Sequence, residues 1–106
     1  MKIQWQGHAC FQIHGAGVCI VTDPYTPEVA GLSPIRDPAD VVIMYLETDS
    51  NEKLRPTLEK SLRAGARVVS HEYKVPGWKA TRVAKADPGY GHTHTIYLYR
   101  MPPEKQ

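Results

Sequence analysis

Ala39-Asp40-Val41-Val42-Ile43, continuing through Met44-Tyr45-Leu46, decides how this chain is read. Its apolar residues fall on both alternating faces, the mark of a strand covered on both sides in a partly parallel sheet. A helix pattern follows. Leu54, Leu58 and Leu62 recur every four residues as one apolar stripe, with Asp49 or Ser50 placed to cap the first turn. Pro56 is tolerable near a helix start, and Gly65 ends the segment in the left-handed position. Ala66 to Glu72 is a second buried strand, so strand, helix and strand form a right-handed crossover joining two parallel strands.

On the N-terminal side, Lys2 to Gln6 and Ala9 to Ile13 alternate polar and apolar, and Val18 to Val21 is a β-branched run after Gly15-Ala16-Gly17. These make a meander of three short antiparallel strands. Asp23 to Pro38 carries Pro24, Pro27, Pro34 and Pro38 and reads as a long loop. On the C-terminal side, Lys79 to Lys85 and Thr93 to Met101 alternate around the turn signal Asp87-Pro88-Gly89-Tyr90-Gly91, and Pro102-Pro103 stops the last strand. The expected fold is α/β with a mixed sheet: an N-terminal β-meander, one β-α-β crossover and a C-terminal β-hairpin, in a single domain spanning residues 1–106. One helix covers at most one face of such a sheet, so an apolar face is left open. Self-association into a homodimer or tetramer is the expected cover, with a domain swap through the Asp23 to Pro38 loop as one route.

Composition narrows the partners. The 106 residues include 13 basic and 11 acidic ones scattered along the chain, so no basic stripe points to nucleic acid. The longest apolar runs are strand-sized, well short of the roughly 20 residues that span a bilayer, so no membrane partner is expected. Met1-Lys2-Ile3 runs straight into a strand pattern with no signal peptide, which gives a cytoplasmic expectation. Cys10 and Cys19 fall diagonally on one sheet face. A bridge between them is geometrically open, but two buried thiols fit that compartment better.

Two family resemblances overlap in the Ala39 to Ile43 strand. Residues 1–43 resemble the metallo-β-lactamase-fold hydrolases, in the branch of L-ascorbate-6-phosphate lactonase-like proteins. The match is carried by Gly7-His8-Ala9-Cys10-Phe11, Thr22-Asp23-Pro24-Tyr25, Leu32-Ser33-Pro34 and Ala39-Asp40-Val41-Val42. The resemblance implies a histidine-rich metal loop after the last of these strands, His8 beside the site, and Asp23 orienting a ligand. Tyr45-Leu46-Glu47-Thr48-Asp49-Ser50 contains no histidine at that place. Residues 39–103 resemble the C-terminal portion of class I S-adenosylmethionine-dependent methyltransferases, which makes 39–106 the half-Rossmann segment. That match runs through Tyr45-Leu46, Asn51 to Pro56, Gly65, Arg67 to His71, Trp78 and Thr95 to Tyr99. The family's glycine-rich cofactor loop and ribose-binding acidic residue lie upstream of the matched part, and Gly15-Ala16-Gly17 sits in a hairpin with a strand rather than a helix after it.

The chemistry that remains is sparse. His92-Thr93-His94 places two imidazoles on one strand face, and His8, His14 or His71 is available as a third metal ligand. No carboxylate sits at matching spacing. Ser70 and His71 point to opposite faces and are not a nucleophile and its base. Glu47 and Asp49 read as helix caps, His14 as a hairpin-end residue and Trp78 as core. The site expectation is therefore no catalytic, cofactor-binding or metal residues, with His8, His92 and His94 as the candidates for a metal, and no cofactor. The functional expectation is a folded, self-associating, non-enzymatic chimera of two enzyme fragments. A residual zinc-dependent hydrolase and a binding module for S-adenosylmethionine or a nucleotide are the alternatives.

Overall fold

The computed structural model describes residues 1–7, 10–23 and 39–106. The meander forms as β1 (Lys2–Gly7), β2 (Cys10–Gly15) and β3 (Val18–Thr22), and the crossover as β4 (Val41–Met44), α1 (Thr48–Ser61) and β5 (Arg67–His71). The C-terminal hairpin is β7 (Arg82–Ala86) and β8 (His94–Arg100). A short pair that alternation does not signal, β6 (Trp78–Lys79) with β9 (Glu104–Lys105), completes the chain. Pro102-Pro103 therefore does not end the ordered chain, because β9 beyond it pairs with β6.

Seven strands make one mixed sheet in the order β1-β2-β3-β4-β5-β8-β7, with β3, β4 and β5 parallel and the remaining pairs antiparallel. The fold class is α/β, as expected. The strand order across the seam, which the sequence leaves open, puts β4 directly beside β3. The hairpin joins β5 through its second strand, so β7 forms the far edge. The loop from Pro24 to Pro38 lies outside the described residues.

Helix α1 packs on one face of the sheet. Leu54, Leu58 and Leu62 are all buried there against Val21, Val42, Met44 and Val68. At roughly 25 cal/mol per Å² of apolar surface, burying each such leucine contributes about 2 kcal/mol. The capping expectation is corrected: Asp49 and Ser50 lie inside the first turn, and Glu47 occupies the N-cap position without a side-chain cap bond. The helix also stops at Ser61, before Gly65, because Leu62 is already extended (φ −90°, ψ 131°). Gly65, at φ 90°, turns the chain into β5 instead. Pro56 stands in the helix interior on its exposed side, where a break in the ladder meets water.

Trp78 is core, 2% exposed, with its ring edge-on to Tyr99 at 5.4 Å and its indole N–H donated to Glu59 at 2.8 Å. The Tyr99 hydroxyl accepts the Val75 N–H at 2.9 Å, and burial pushes this phenol above its ordinary range. Gly77, at φ 88°, passes so close to Arg55 that a Cβ there would collide with the guanidinium, which donates to Pro76 O at 2.7 Å.

No described element packs on the other face. By register it carries Ile3, Trp5, Ile13, Ile20, Ile43, Val69, Leu98 and Ile96, and Ile43 is 43% exposed where a strand covered on both faces was expected. The His71 ring lies on this open face, while Ser70 points to the helix side and is fully buried.

Candidate functional site

Parallel strands end together, so the residues that follow them gather at one edge of a sheet. Here Asp23, Tyr45 and Glu72 follow β3, β4 and β5, and His71 is the last residue of β5. The antiparallel β5–β8 pairing, with His71 opposite Ile96, then brings the start of β8 to the same edge. Residues far apart in sequence thus meet: His71, Glu72, His92 and His94.

Glu72 is the centre. Its backbone adopts φ 72°, a left-handed conformation that a non-glycine residue holds only when its surroundings impose it. Those surroundings are visible. Its N–H donates to Thr95 O at 2.7 Å, and its Oε1 accepts the Thr95 N–H at 3.1 Å. Oε1 also lies 3.0 Å from His94 Nδ1 and 3.8 Å from His71 Nε2, while Oε2 lies 3.1 Å from His92 Nε2. Desolvation pulls the carboxyl up, but the His92 and Thr95 hydrogen bonds and the charges of His94 and His92 together hold it below the usual carboxylate range. His71 Nε2 and His94 Nδ1 are 2.8 Å apart, one imidazole donating to the other.

The shell around this cluster is ordered from both sides. Tyr45 stands edge-on to the His71 ring at 4.3 Å and tilts against Tyr73 at 6.2 Å. Asp23 Oδ1 accepts the Tyr45 N–H at 2.5 Å, so the carboxylate after β3 sets the residue that packs on His71. Behind the turn, fully buried Asn51 donates to Tyr73 O at 3.2 Å and Lys74 O at 3.1 Å, and the Ser70 hydroxyl donates to Tyr73 O. The turn that carries Glu72 is in this way pinned to helix α1.

His71, Glu72 and His94 each offer one ligand atom, and these lie within 4.8 Å of one another. Of the sequence candidates, His92 and His94 are brought together with ring centroids 4.4 Å apart, and His71 joins them. His8 lies outside the described residues. His14 is not part of the cluster. It faces Cys19 at 3.9 Å, in a cleft of about 310 Å³ that Asp40 and Arg63 also line, and Cys19 is buried. No carboxylate sits at matching spacing in the sequence, and Glu72 reaches the histidines through strand pairing instead. Its only sequence signal was its place at the end of a strand.

Comparison with known proteins finds both resemblances. A family model described as a beta-lactamase superfamily domain matches residues 2–101, which extends well past the seam. A protein-lysine N-methyltransferase of Saccharolobus islandicus (strain REY15A) is 51% identical over 61 residues, covering 58% of this chain and 37% of the relative. The crystal structure of an RNA methyltransferase from Salinibacter ruber in complex with S-adenosyl-L-homocysteine aligns with a TM-score of 0.52 at 35% identity, over 64% of this chain and 41% of that one. The chain spans about two fifths of these methyltransferases' length. The expectation of a non-enzyme is overturned by these matches: a relative 51% identical and a structural neighbour are both named as enzymes, which points to enzyme-like function.

Proposed function

The chain belongs to the beta-lactamase superfamily domain family, and from that premise we propose that it is a metal-dependent hydrolase whose cation is held by His71, Glu72 and His94. The observation that carries this reading is the convergence of two imidazoles and a carboxylate at the carboxyl edge of the parallel strands. The donors fit the group: two histidines with one glutamate are a recognised catalytic zinc set that leaves a position open for substrate. When bound, such a cation supplies Lewis acidity to a scissile carbonyl or phosphoryl oxygen and activates water near neutral pH. The Tyr45 ring restrains His71, and Asp23 restrains Tyr45. His92, with a side chain 71% exposed, holds its hydrogen bond to Glu72 Oε2 at the solvent edge and so orients the carboxylate that would ligate the cation. In ester hydrolysis the C–O bond breaks, the hydroxyl of water goes to the acyl carbon and its proton to the leaving alcohol.

S-adenosylmethionine fits less well. Gly15 to Gly17 closes the β2–β3 hairpin, with Ala16 at φ 52° and Gly17 at φ 76°, and a strand follows instead of the helix N-terminus that an anionic cofactor needs. No step is derived through it.

A hydrolase-fold family model and methyltransferase relatives that match one and the same chain support a recombined origin. A second reading concerns assembly. Ile3 and Trp5 on β1 and Val18 on β3 are exposed, and β1 is an edge strand among the described residues, which supports a homodimer formed through that wing. Light scattering coupled to size exclusion tests it, and a stable monomer at micromolar concentration sinks it. For the hydrolase, metal analysis after dialysis against zinc and then buffer is the deciding measurement. One zinc per chain with hydrolysis of a 4-nitrophenyl ester is expected, and a protein that retains no zinc ends the reading.

A further inference from the structure

The open sheet face beside the cluster is not uniformly apolar. Moving away from His71 along β5, the same face presents Val69 and then Arg67, and Ile43 flanks Val69 on β4. On β8 the corresponding residues are Ile96, Leu98 and Arg100, so Arg67 stands directly opposite Arg100. Arg82 on β7 pairs with Leu98 and adds a third guanidinium to that end. All three arginines are exposed, and among the described residues none forms an ion pair with a carboxylate. Like charges directly opposite across a strand pair are destabilising unless something neutralises them. Planar guanidiniums are well matched to a carboxylate or phosphate, which they can bind in a bidentate fashion.

His71 lies four residue steps from Arg67 along β5, or about 13 Å at ~3.3 Å per residue. Between the two ends lies a floor of Val69, Leu98, Ile96 and Ile43. We infer that this floor binds an anionic amphiphile: an apolar chain lying along β5 and β8, its carboxylate or phosphate on Arg67 and Arg100, and its far end at His71 and His94. This rests on the hydrolase reading for the reaction but not for the binding. The substrate class is an ester whose acyl chain carries an anionic group about 13 Å from the scissile bond.

The test separates the two claims. Calorimetric titration of the 106-residue, chelator-treated protein uses decanoate as the anionic probe and decanol as its neutral counterpart. Decanoate is expected to bind, to weaken about tenfold or more in Arg67→Gln/Arg100→Gln, and to weaken as salt rises, while decanol binds equally to both proteins and ignores salt. If the double variant does not fold, the salt dependence in the parent protein decides. Equal decanoate affinity in parent and variant, absence of decanoate binding, or a second copy of the chain occupying the face overturns the inference. With zinc restored, the 4-nitrophenyl monoester of decanedioate should lose kcat/KM in the double variant and 4-nitrophenyl decanoate should not. Decanoate binding that persists in a protein that takes up no zinc leaves the arginine-ended floor standing and removes only the hydrolase.

Discussion

The two faces of the sheet are built from the same strands, yet they do different work. Val42 and Ile43 are neighbours on β4: the first is fully enclosed by α1 and the hydrophobic cluster, the second is 43% exposed. Ser70 and His71 repeat the contrast on β5, one tying a turn to the helix and the other entering the donor cluster. Because side chains alternate along a strand, a single residue step separates a position that carries stability from one that carries chemistry. The helix makes one face a core. No described element covers the other face, and at its carboxyl edge the His92 side chain is 71% exposed.

The largest expected effect breaks the comparison at its structural side. Met44→Ala on the covered face should cost about 2–5 kcal/mol in urea unfolding, through lost burial and the cavity left behind, whereas Ile43→Ala on the open face should stay within about 1 kcal/mol. Comparable losses from both would mean that the open face is covered in solution.

The second expectation sharpens the functional side. Zinc at a hundredfold excess over its dissociation constant should stabilise the parent protein by about 2.7 kcal/mol, read as a rise in Tm, and His94→Ala should lose that increment while keeping its zinc-free Tm. A zinc response that survives His94→Ala would place the cation elsewhere.

Smaller effects test how the covered face is joined together. Tyr99→Phe removes the acceptor of the buried Val75 N–H and should cost about 1–2 kcal/mol. The same phenol gives a pH signature. Its folded value is raised above the ordinary 10.0, so its contribution is complete below pH 10.0 and lost as pH rises through the higher folded value. Stability of the parent protein should therefore fall on the alkaline side, with a shallower fall in Tyr99→Phe, as followed by circular dichroism. The mildest change is Asp23→Asn, which weakens the hold on Tyr45. It should lower zinc affinity severalfold with little change in zinc-free Tm, and an unchanged affinity would detach Asp23 from the site.

Much of this was legible locally. The Leu54, Leu58 and Leu62 stripe, the Val18 to Val21 run and the turn at Asp87 to Gly91 each announce their element within a dozen residues, because periodicity states directly which side chains share a face. The helix ends were less legible. Asp49 and Ser50 are good capping residues by type, yet the helix starts before them, where the chain leaves β4 and Asp23 has already taken the Tyr45 N–H. The β6–β9 pair was invisible, since two-residue strands have no period to read.

The amino-acid sequence by itself determined the α/β class, the crossover, the hairpin and the core stripe on α1, all of which follow from spacing over a few residues; His92 lies before β8, outside the strand on which alternation places it with His94. Only the tertiary structure decided that β8, and not β7, lies beside β5. That choice brings Glu72 into hydrogen-bonding range of His92 and His94, and places Arg67 opposite Arg100. The physical reason is that strand register is fixed by burial of whole faces against α1, a long-range condition on which no local run of residues carries information.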